Sequence, residues 1–188
     1  RQQQLRRGRI SAIDKKLSGQ NISGLLDYLQ SKPCVSWTRG HVAEFLVSEG
    51  HVKDMQRAFK RFLRPGGSAY VAARWPEIGE AIAAIQQASG IAVLAHPGRY
   101  GLTRSKLGRL MDDFQQGGGD AAEVSYGSIN PTQQTSLITM TQQRGLYASA
   151  GSDFHSAERQ WTDIGKFPAL GLAATKNAIW AHPRWHFV

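Results

Sequence analysis

The chain has 188 residues, of which 41% are hydrophobic, and this is enough material for a globular domain with a substantial core. Its single cysteine, Cys34, excludes an internal disulfide and a CxxC zinc site, and it fits a reducing, cytosolic setting. No apolar run approaches the ~18 residues of a membrane span, and the basic first residues lack the apolar segment of a signal peptide.

The net charge of +9 is concentrated in the first third of the chain. Residues 1–64 contain 13 Lys and Arg against 5 Asp and Glu, whereas residues 65–188 contain 10 against 9. A local excess of cations favours a polyanionic partner, and nucleic acid is the first class to consider. A basic surface that serves only solubility is the alternative.

The basic first third is predicted to be all helical. Apolar residues recur at helical spacing in four segments, which cover residues 1–18, 21–30, 38–50 and 51–63. The last segment has an apolar face formed by Val52, Met55, Phe59 and Phe62, and a basic face formed by Lys53, Arg57, Lys60, Arg61 and Arg64. The sequence RPGGS then breaks the pattern, so we predict a helical unit over residues 1–64.

Helices and strands are predicted to alternate in the rest of the chain, residues 65–188. The predicted helices cover residues 75–90, 103–116 and 130–145, and the predicted strands cover 91–96, 117–127 and 146–151. Pro76 and Pro131 suit the first turns of two helices, and Asn130 suits an N-cap. The spacing indicates an α/β unit with a parallel sheet, followed by a helix and a tail over residues 174–188.

Two predicted strands end in residues that could bind a metal. His96 ends the first strand and Arg99 follows it, while Asp153 and His155 follow the third strand at positions i and i+2. The carboxyl ends of parallel strands share one edge of a sheet, so these groups are expected to converge. Imidazole and carboxylate ligands suit Zn, Mn or Fe(II), and Arg99 could hold a phosphate oxygen. A single strand-end histidine is more often structural, but the two sites together favour a metal centre.

Segments that contain these residues resemble the PHP (polymerase and histidinol phosphatase) superfamily of metallophosphoesterases. AVLAHPGRY, GDAAEVSYG and ASAGSDFH resemble its later motifs in order and spacing. VSWTRGHVAEFLV and DMQRAFKRFLRPGGSAYV resemble the helical insertion of one branch, that of ribonuclease AM and the 3′,5′-nucleoside bisphosphate phosphatases. The resemblance extends from residue 1 to about residue 165.

The resemblance implies a fold and a metal cluster. Members are distorted seven-stranded β/α barrels that bind two or three divalent metals, usually Mn, Zn or Fe. Their early ligands, which include a His-x-His pair, precede the insertion, and this sequence has no His-x-His. The chain is therefore expected to be the C-terminal part of such a barrel with a basic helical insertion. His96, Asp153 and His155 match the three late ligands.

The resemblance also implies residues that hold the substrate. In this branch the insertion covers the mouth of the barrel and offers basic groups to the substrate phosphates. The sequences RRGR and TRGH match those regions, which makes Arg6, Arg9, Arg39 and His41 candidates, with Arg99 on the barrel side.

Four further residues have two possible roles each. Glu123 lies on a predicted strand and could support the metal ligands or serve the fold alone. Trp37, Trp75 and Tyr126 could stack on nucleobases, but packing in the core is the favoured role.

The expected function is metal-dependent hydrolysis of 5′-phosphorylated RNA, as a 5′-3′ exoribonuclease, or of 3′,5′-bisphosphonucleotides, with Mn as the first choice of metal. No membrane or protein partner is implied. One alternative is a small-molecule phosphatase of the histidinol phosphatase type, which the basic insertion disfavours. Another is a non-catalytic RNA-binding module that has lost its metals. With only the late ligands present, residues 1–188 alone are expected to be inactive.

Overall fold

The computed structural model describes residues 2–34, 36–73, 75–155 and 163–185. The chain forms two compact units, Arg1–Trp75 and Pro76–Val188. The units divide beyond residue 64, where the helical pattern ends, because the following segment packs on the first unit. In that segment Ala69 is buried in the first unit's core, and Val71 is partly buried against it.

The first unit is built from helices, as the sequence predicts. Its helices are α1 (Gln2–Ser18), α2 (Leu25–Gln30), α3 (Arg39–Ser48) and α4 (Met55–Ala58). Helix α1 buries Ile10, Ile13 and Leu17, which recur on one face at helical spacing. These side chains join buried residues of the other helices in one hydrophobic core, so burial of the apolar faces holds the helices together.

Helix α4 differs from the helix predicted over residues 51–63. It begins only at Met55, because the Asp54 carboxylate caps its first turn by accepting a backbone hydrogen bond at 2.7 Å. A π-helical turn, Phe59–Leu63, follows it directly. Phe62 is buried and Phe59 packs against the core, as the predicted apolar face requires, whereas Met55 in the first turn is 38% exposed.

The second unit alternates helices and strands. Its elements are α5 (Ile78–Gln87), β1 (Val93–Leu94), a 3₁₀ turn (Pro97–Tyr100), α6 (Arg104–Gln116), β2 (Ala121–Tyr126), α7 (Pro131–Gln143), β3 (Tyr147–Gly151), α8 (Leu172–Thr175) and a second 3₁₀ turn (Ile179–Ala181). The helix predicted after residue 173 is therefore replaced by the end of α8 and a 3₁₀ turn. The final residues of that prediction, 186–188, lie outside the described ranges.

The three strands form one parallel sheet in the order β1-β2-β3, which confirms the predicted sheet type. Val93 pairs with Ala121, and Ala121 pairs with Tyr147. The central strand β2 is buried on both faces, as is typical of parallel sheets. At the outer side of β3, Ala148 forms an isolated parallel bridge with Ala178.

The structure places the ends of three predicted elements. Strand β1 is shorter than the predicted strand over 91–96, and it stops before His96, whose φ of 31° is left-handed. Asn130 caps α7 as predicted, since its side chain accepts the Gln133 amide at 2.8 Å. Helix α5 begins at Ile78, so Pro76 precedes the first turn instead of lying in it.

The core of the second unit lies between the sheet and its helices. Val124 and Leu146 on the sheet side pack with Met111, Phe114 and Leu137 from the helices. Within the four described ranges, no helix is both long enough and apolar enough to cross a membrane.

Candidate functional site

The predicted metal ligands follow the carboxyl ends of two parallel strands. His96 comes after β1, while Asp153 and His155 come after β3, and β2 lies between these strands. In parallel α/β sheets this edge is where ligands bind, because loops from several strands meet there. Both His96 and Asp153 have positive φ angles, 31° and 55°. Such backbone is uncommon outside glycine, and it often marks functional positions.

His96 is held by its backbone and by two aromatic rings. Its amide N–H donates to Glu123 Oε2 at 2.7 Å. Its imidazole lies nearly perpendicular to the rings of Tyr100 and Tyr126, with centroids 5.9 and 6.4 Å away. The Nδ1 atom is buried and has no hydrogen-bond partner within the described part of the chain. An imidazole nitrogen in this condition is free to bind another group.

Asp153 connects the two strand ends through Arg99. The Asp153 carboxylate contacts the Arg99 guanidinium, whose other terminal nitrogen donates to the Gly127 carbonyl at 2.6 Å. The same guanidinium lies 5.0 Å from the centroid of the Tyr126 ring. Arg99, predicted to hold a phosphate, therefore lies beside a predicted metal ligand. The sequence offered no signal for their pairing, because 54 positions separate them.

His155 is the most exposed of the predicted ligands, with 61% of its side chain accessible. Its Nδ1 lies 2.8 Å from the Asp153 backbone carbonyl and 3.6 Å from a carboxylate oxygen of the same residue. A carbonyl oxygen can only accept, so we assign the proton to Nδ1. That tautomer leaves the lone pair on Nε2, where a metal could bind.

Glu123 brings a further carboxylate to this edge of the sheet. Burial raises the pKa of Glu123, and the nearby Asp153 charge acts in the same direction, while the His96 hydrogen bond and the Arg99 charge oppose them. A Cβ at Gly151 would lie 3.0 Å from Glu123 Oε1, so glycine there leaves room for the carboxylate. His96, Asp153 and Arg99 therefore all act on the pKa of Glu123, and a carboxyl group perturbed in this way is common at functional sites.

The chemical types of the predicted ligands fit a divalent metal, since two imidazoles and one carboxylate suit Mn, Zn or Fe(II). The predicted ligands are, however, too far apart to surround one ion. In residues 2–34, 36–73, 75–155 and 163–185, no three His, Cys, Asp or Glu side chains are grouped closely enough to hold a metal. Asp153 and His155 are in contact after β3, whereas the unpaired Nδ1 of His96 lies after β1, on the other side of the central strand β2. The metal-ligand assignment stays a prediction.

Three predicted substrate arginines line one groove in the first unit. Arg6, Arg9 and Arg39 border a cavity of about 740 Å³ formed by residues 2–75. His41 is not among its lining residues. Its Nδ1 instead accepts the Thr38 amide at 3.1 Å, and this caps the start of α3.

The aromatic residues divide between core and surface. Tyr126 is 1% exposed and Trp37 packs against the first unit's core, which confirms core packing for both. For Trp75 that prediction is wrong, because 70% of its surface is exposed. Trp75 directly precedes the division between the two units, and its side chain borders the groove instead of entering the core.

The chain is similar to known bacterial enzymes over most of its length. The chain is homologous to bacterial hydrolases of phosphate esters, namely 5′-3′ exoribonucleases and a 3′,5′-nucleoside bisphosphate phosphatase. It is 38% identical over 180 residues to the 5′-3′ exoribonuclease Rnm of Escherichia coli (strain K12), an alignment that covers 95% of this chain and 60% of the relative. It is 41% identical over 128 residues to the 3′,5′-nucleoside bisphosphate phosphatase of Chromobacterium violaceum, covering 68% and 45% respectively.

Solved structures agree with this relationship. The fold matches an amidohydrolase from Chromobacterium violaceum, determined with bound sulfate and no metal, at a TM-score of 0.74 and 35% identity. That match covers 94% of this chain and 62% of the other. A proposed metal-dependent phosphoesterase from Bifidobacterium adolescentis matches at a TM-score of 0.70 and 23% identity, which supports the fold alone. No protein-family model matches the chain. The chain thus spans less than two thirds of the length of these relatives.

Proposed function

We propose that the chain is part of a metal-dependent phosphoesterase that acts on 5′-phosphorylated RNA or on 3′,5′-bisphosphonucleotides. The observation that carries the proposal is the pair of strand ends that present His96 and Asp153 at one edge of the sheet, in a chain homologous to enzymes of this class. In this proposal the second unit belongs to a distorted seven-stranded β/α barrel, and the first unit is its basic helical insertion.

His96, Asp153 and His155 would hold divalent metal, two or three ions in a complete site, with Mn as the first choice. Such ions lower the pKa of a bound water and stabilise the charge that develops on the phosphate. The buried Nδ1 of His96 and the free Nε2 assigned to His155 support these residues as ligands. Glu123 would fix the His96 backbone through its 2.7 Å hydrogen bond.

The cationic residues would bind the phosphates of the substrate. Arg99 has a guanidinium that can form two parallel hydrogen bonds to phosphate oxygens, and its contact with Gly127 fixes its orientation. Arg6, Arg9, Arg39 and His41 are the proposed phosphate contacts of the first unit.

The test is metal binding and phosphate release by the complete protein. His96→Ala and Asp153→Asn are each expected to weaken Mn²⁺ binding, measured by calorimetry, by at least about tenfold. Phosphate release from a 3′,5′-bisphosphonucleotide should fall in parallel. His51→Gln is the matched control, because His51 lies in the first unit, where its ring contacts Phe45. Unchanged Mn²⁺ affinity in both ligand variants would overturn the assignment.

A non-catalytic RNA-binding module is the second candidate. One observation favours it: Arg6, Arg9 and Arg39 line a single groove in the first unit, where they could contact RNA phosphates without a metal. This candidate predicts that the complete protein binds RNA equally with and without Mn²⁺ and releases no phosphate, which the same assay would detect.

A further inference from the structure

The groove of the first unit combines aromatic, cationic and apolar surface. Trp37, Phe59 and Trp75 line it together with Arg6, Arg9 and Arg39, and most of its remaining lining residues are small or aliphatic. Its volume of about 740 Å³ lies within the range of small-molecule sites. Its lining residues contain no aspartate or glutamate in the part of the chain that is described. The groove is therefore suited to a ligand that has both an aromatic and an anionic part.

Trp75 offers an open aromatic face. It is 70% exposed, and no hydrogen bond or ring contact involves it among the described residues. The ring of Trp37 is already in contact with other groups. The Arg7 guanidinium lies 5.6 Å from the ring centroid, and the Trp37 side chain packs against the core. A large apolar ring left in water beside an apolar groove often marks a binding site. Trp75 is thus the ring available for stacking.

Arg9 and Arg39 bring two positive charges together at the same groove. Each is oriented by one backbone carbonyl: Arg9 Nε donates to Val71 at 2.9 Å, and Arg39 donates to Leu63 at 3.2 Å. Burial lowers the pKa of Arg9, and repulsion from the Arg39 charge lowers it further. No acidic side chain pairs with either guanidinium in the described residues, and an anion between them would relieve the repulsion.

We infer that this groove binds one nucleotide of a single-stranded RNA, with its base stacked on Trp75 and its phosphate held by Arg9 and Arg39. Proteins that bind single strands combine basic grooves with exposed rings in this way. A duplex is a poor fit, because its bases are already stacked and cannot reach the Trp75 face. The identity of the ligand rests on the proposed function, whereas the location rests on residues 2–75 alone.

The experiment measures binding without catalysis. A 5′-phosphorylated oligoribonucleotide with a 3′ fluorophore is titrated with the complete protein in EDTA, and anisotropy gives the dissociation constant. Trp75→Ala should weaken binding about tenfold, and Trp75→Phe should retain most of the affinity because a ring remains. Trp180→Ala is the matched control, since Trp180 is 47% exposed in the second unit and should leave binding unchanged. Circular dichroism checks that each variant is folded.

Two further arms identify the parts of the ligand. An oligonucleotide of abasic residues should bind weakly, and Trp75→Ala should weaken it no further. Arg9→Met and Arg39→Met should each weaken RNA binding and reduce the slope of log affinity against log salt by about 0.7, the value for one phosphate of a single strand. The inference would be overturned if wild type and Trp75→Ala bound RNA with equal affinity. It would also be overturned if the abasic strand and an acidic peptide, used as a polyanion without bases, bound as tightly as RNA.

The outcomes separate this inference from the proposed function. If RNA binding depends on Trp75 but the protein releases no phosphate with Mn²⁺, the nucleotide-binding groove is supported and the proposed enzymatic function is contradicted. If the protein releases phosphate but RNA binding does not change in Trp75→Ala, nucleotide binding in the groove is contradicted and the proposed enzymatic function is supported.

Discussion

Arg99 contacts the carboxylate of Asp153, and so it joins the segment after β1 to the segment after β3. The same guanidinium donates to the Gly127 carbonyl, which follows β2. One side chain therefore connects the ends of all three strands. Because 17% of the Asp153 side chain is exposed, its negative charge is largely removed from water and depends on this partner.

Arg99→Met is expected to destabilise the protein. The substitution leaves the Asp153 carboxylate without its cation, and it removes the hydrogen bond to Gly127. Loss of such charge-assisted contacts should lower the free energy of unfolding by about 1–3 kcal/mol, measured by urea denaturation in EDTA. The control is Arg57→Met, whose ion pair with Asp54 is more than half exposed and should contribute less than about 1 kcal/mol. Equal effects of the two substitutions would contradict a structural role for Arg99.

Asp120 is predicted to make stability depend on pH. Burial alone would raise its pKa, but hydrogen bonds from Ala92 and Gln86 and the charge of Arg184 outweigh burial, so the pKa is lowered from 3.8. An acid whose pKa is lower when folded contributes stability above its unfolded pKa and loses it as pH falls through the folded value. The stability difference between wild type and Asp120→Asn should therefore be present at neutral pH and shrink below about pH 4.

Urea denaturation between neutral pH and about pH 3 measures this difference. Asp163→Asn is the control, because Asp163 is exposed beside Lys166 and should have little effect at any pH. A difference that stays constant down to the lowest pH would show that the Asp120 charge does not contribute.

Gly98→Ala is expected to disturb the packing of the segment after β1 against Tyr126 and Gln133. A Cβ at Gly98 would overlap the Tyr126 hydroxyl and approach the Gln133 amide nitrogen to 2.6 Å. Overpacking of this kind costs about 1–3 kcal/mol, which thermal or urea unfolding measures. Gly8→Ala is the opposite case, since nothing lies within 4 Å of a Cβ there and alanine favours the helix α1. It should stabilise the protein by up to about 1 kcal/mol, and a similar gain at Gly98 would contradict the predicted overlap.

The exposed basic residues after α3 predict salt-dependent binding. Lys53, Arg57, Lys60 and Arg64 are all exposed. If they contact RNA, log affinity should fall linearly with log salt, by about 0.7 for each phosphate neutralised. Lys60→Gln should reduce that slope by about 0.7, the value for one phosphate, whereas Lys166→Gln in the second unit should not. A salt-independent dissociation constant would remove the electrostatic contribution.

Residues 1–188 alone are expected to release no phosphate from a 3′,5′-bisphosphonucleotide with Mn²⁺. The predicted donor set has one carboxylate and two imidazoles, which is too few to hold the two ions that orient a nucleophile and a leaving group. The exoribonuclease of Escherichia coli, which this chain covers over 60% of its length, is the positive control. Comparable turnover by the two proteins would mean that this chain has ligands beyond those assigned.

Local patterns in the sequence were sufficient to predict most of the fold. The alternation of apolar strands and amphipathic helices predicted the parallel sheet, and Asn130 predicted the start of α7, because capping depends on neighbours only three residues away. The sequence was less informative where packing competes with local preference. The exposed Met55 and the π-helical turn after α4 depend on contacts that periodicity does not describe.

The candidate site shows the same division. The sequence by itself determined which predicted metal ligands follow the strands, namely His96, Asp153 and His155. It also determined the excess of positive charge in the first third. Only the tertiary structure decided that Arg99 pairs with Asp153 and that the exposed Trp75 lines the same groove as Arg9. The physical reason is that strand ends and helix faces follow from spacing along the chain. Contacts between distant residues depend instead on how the elements pack, and a spacing pattern contains no information about that packing.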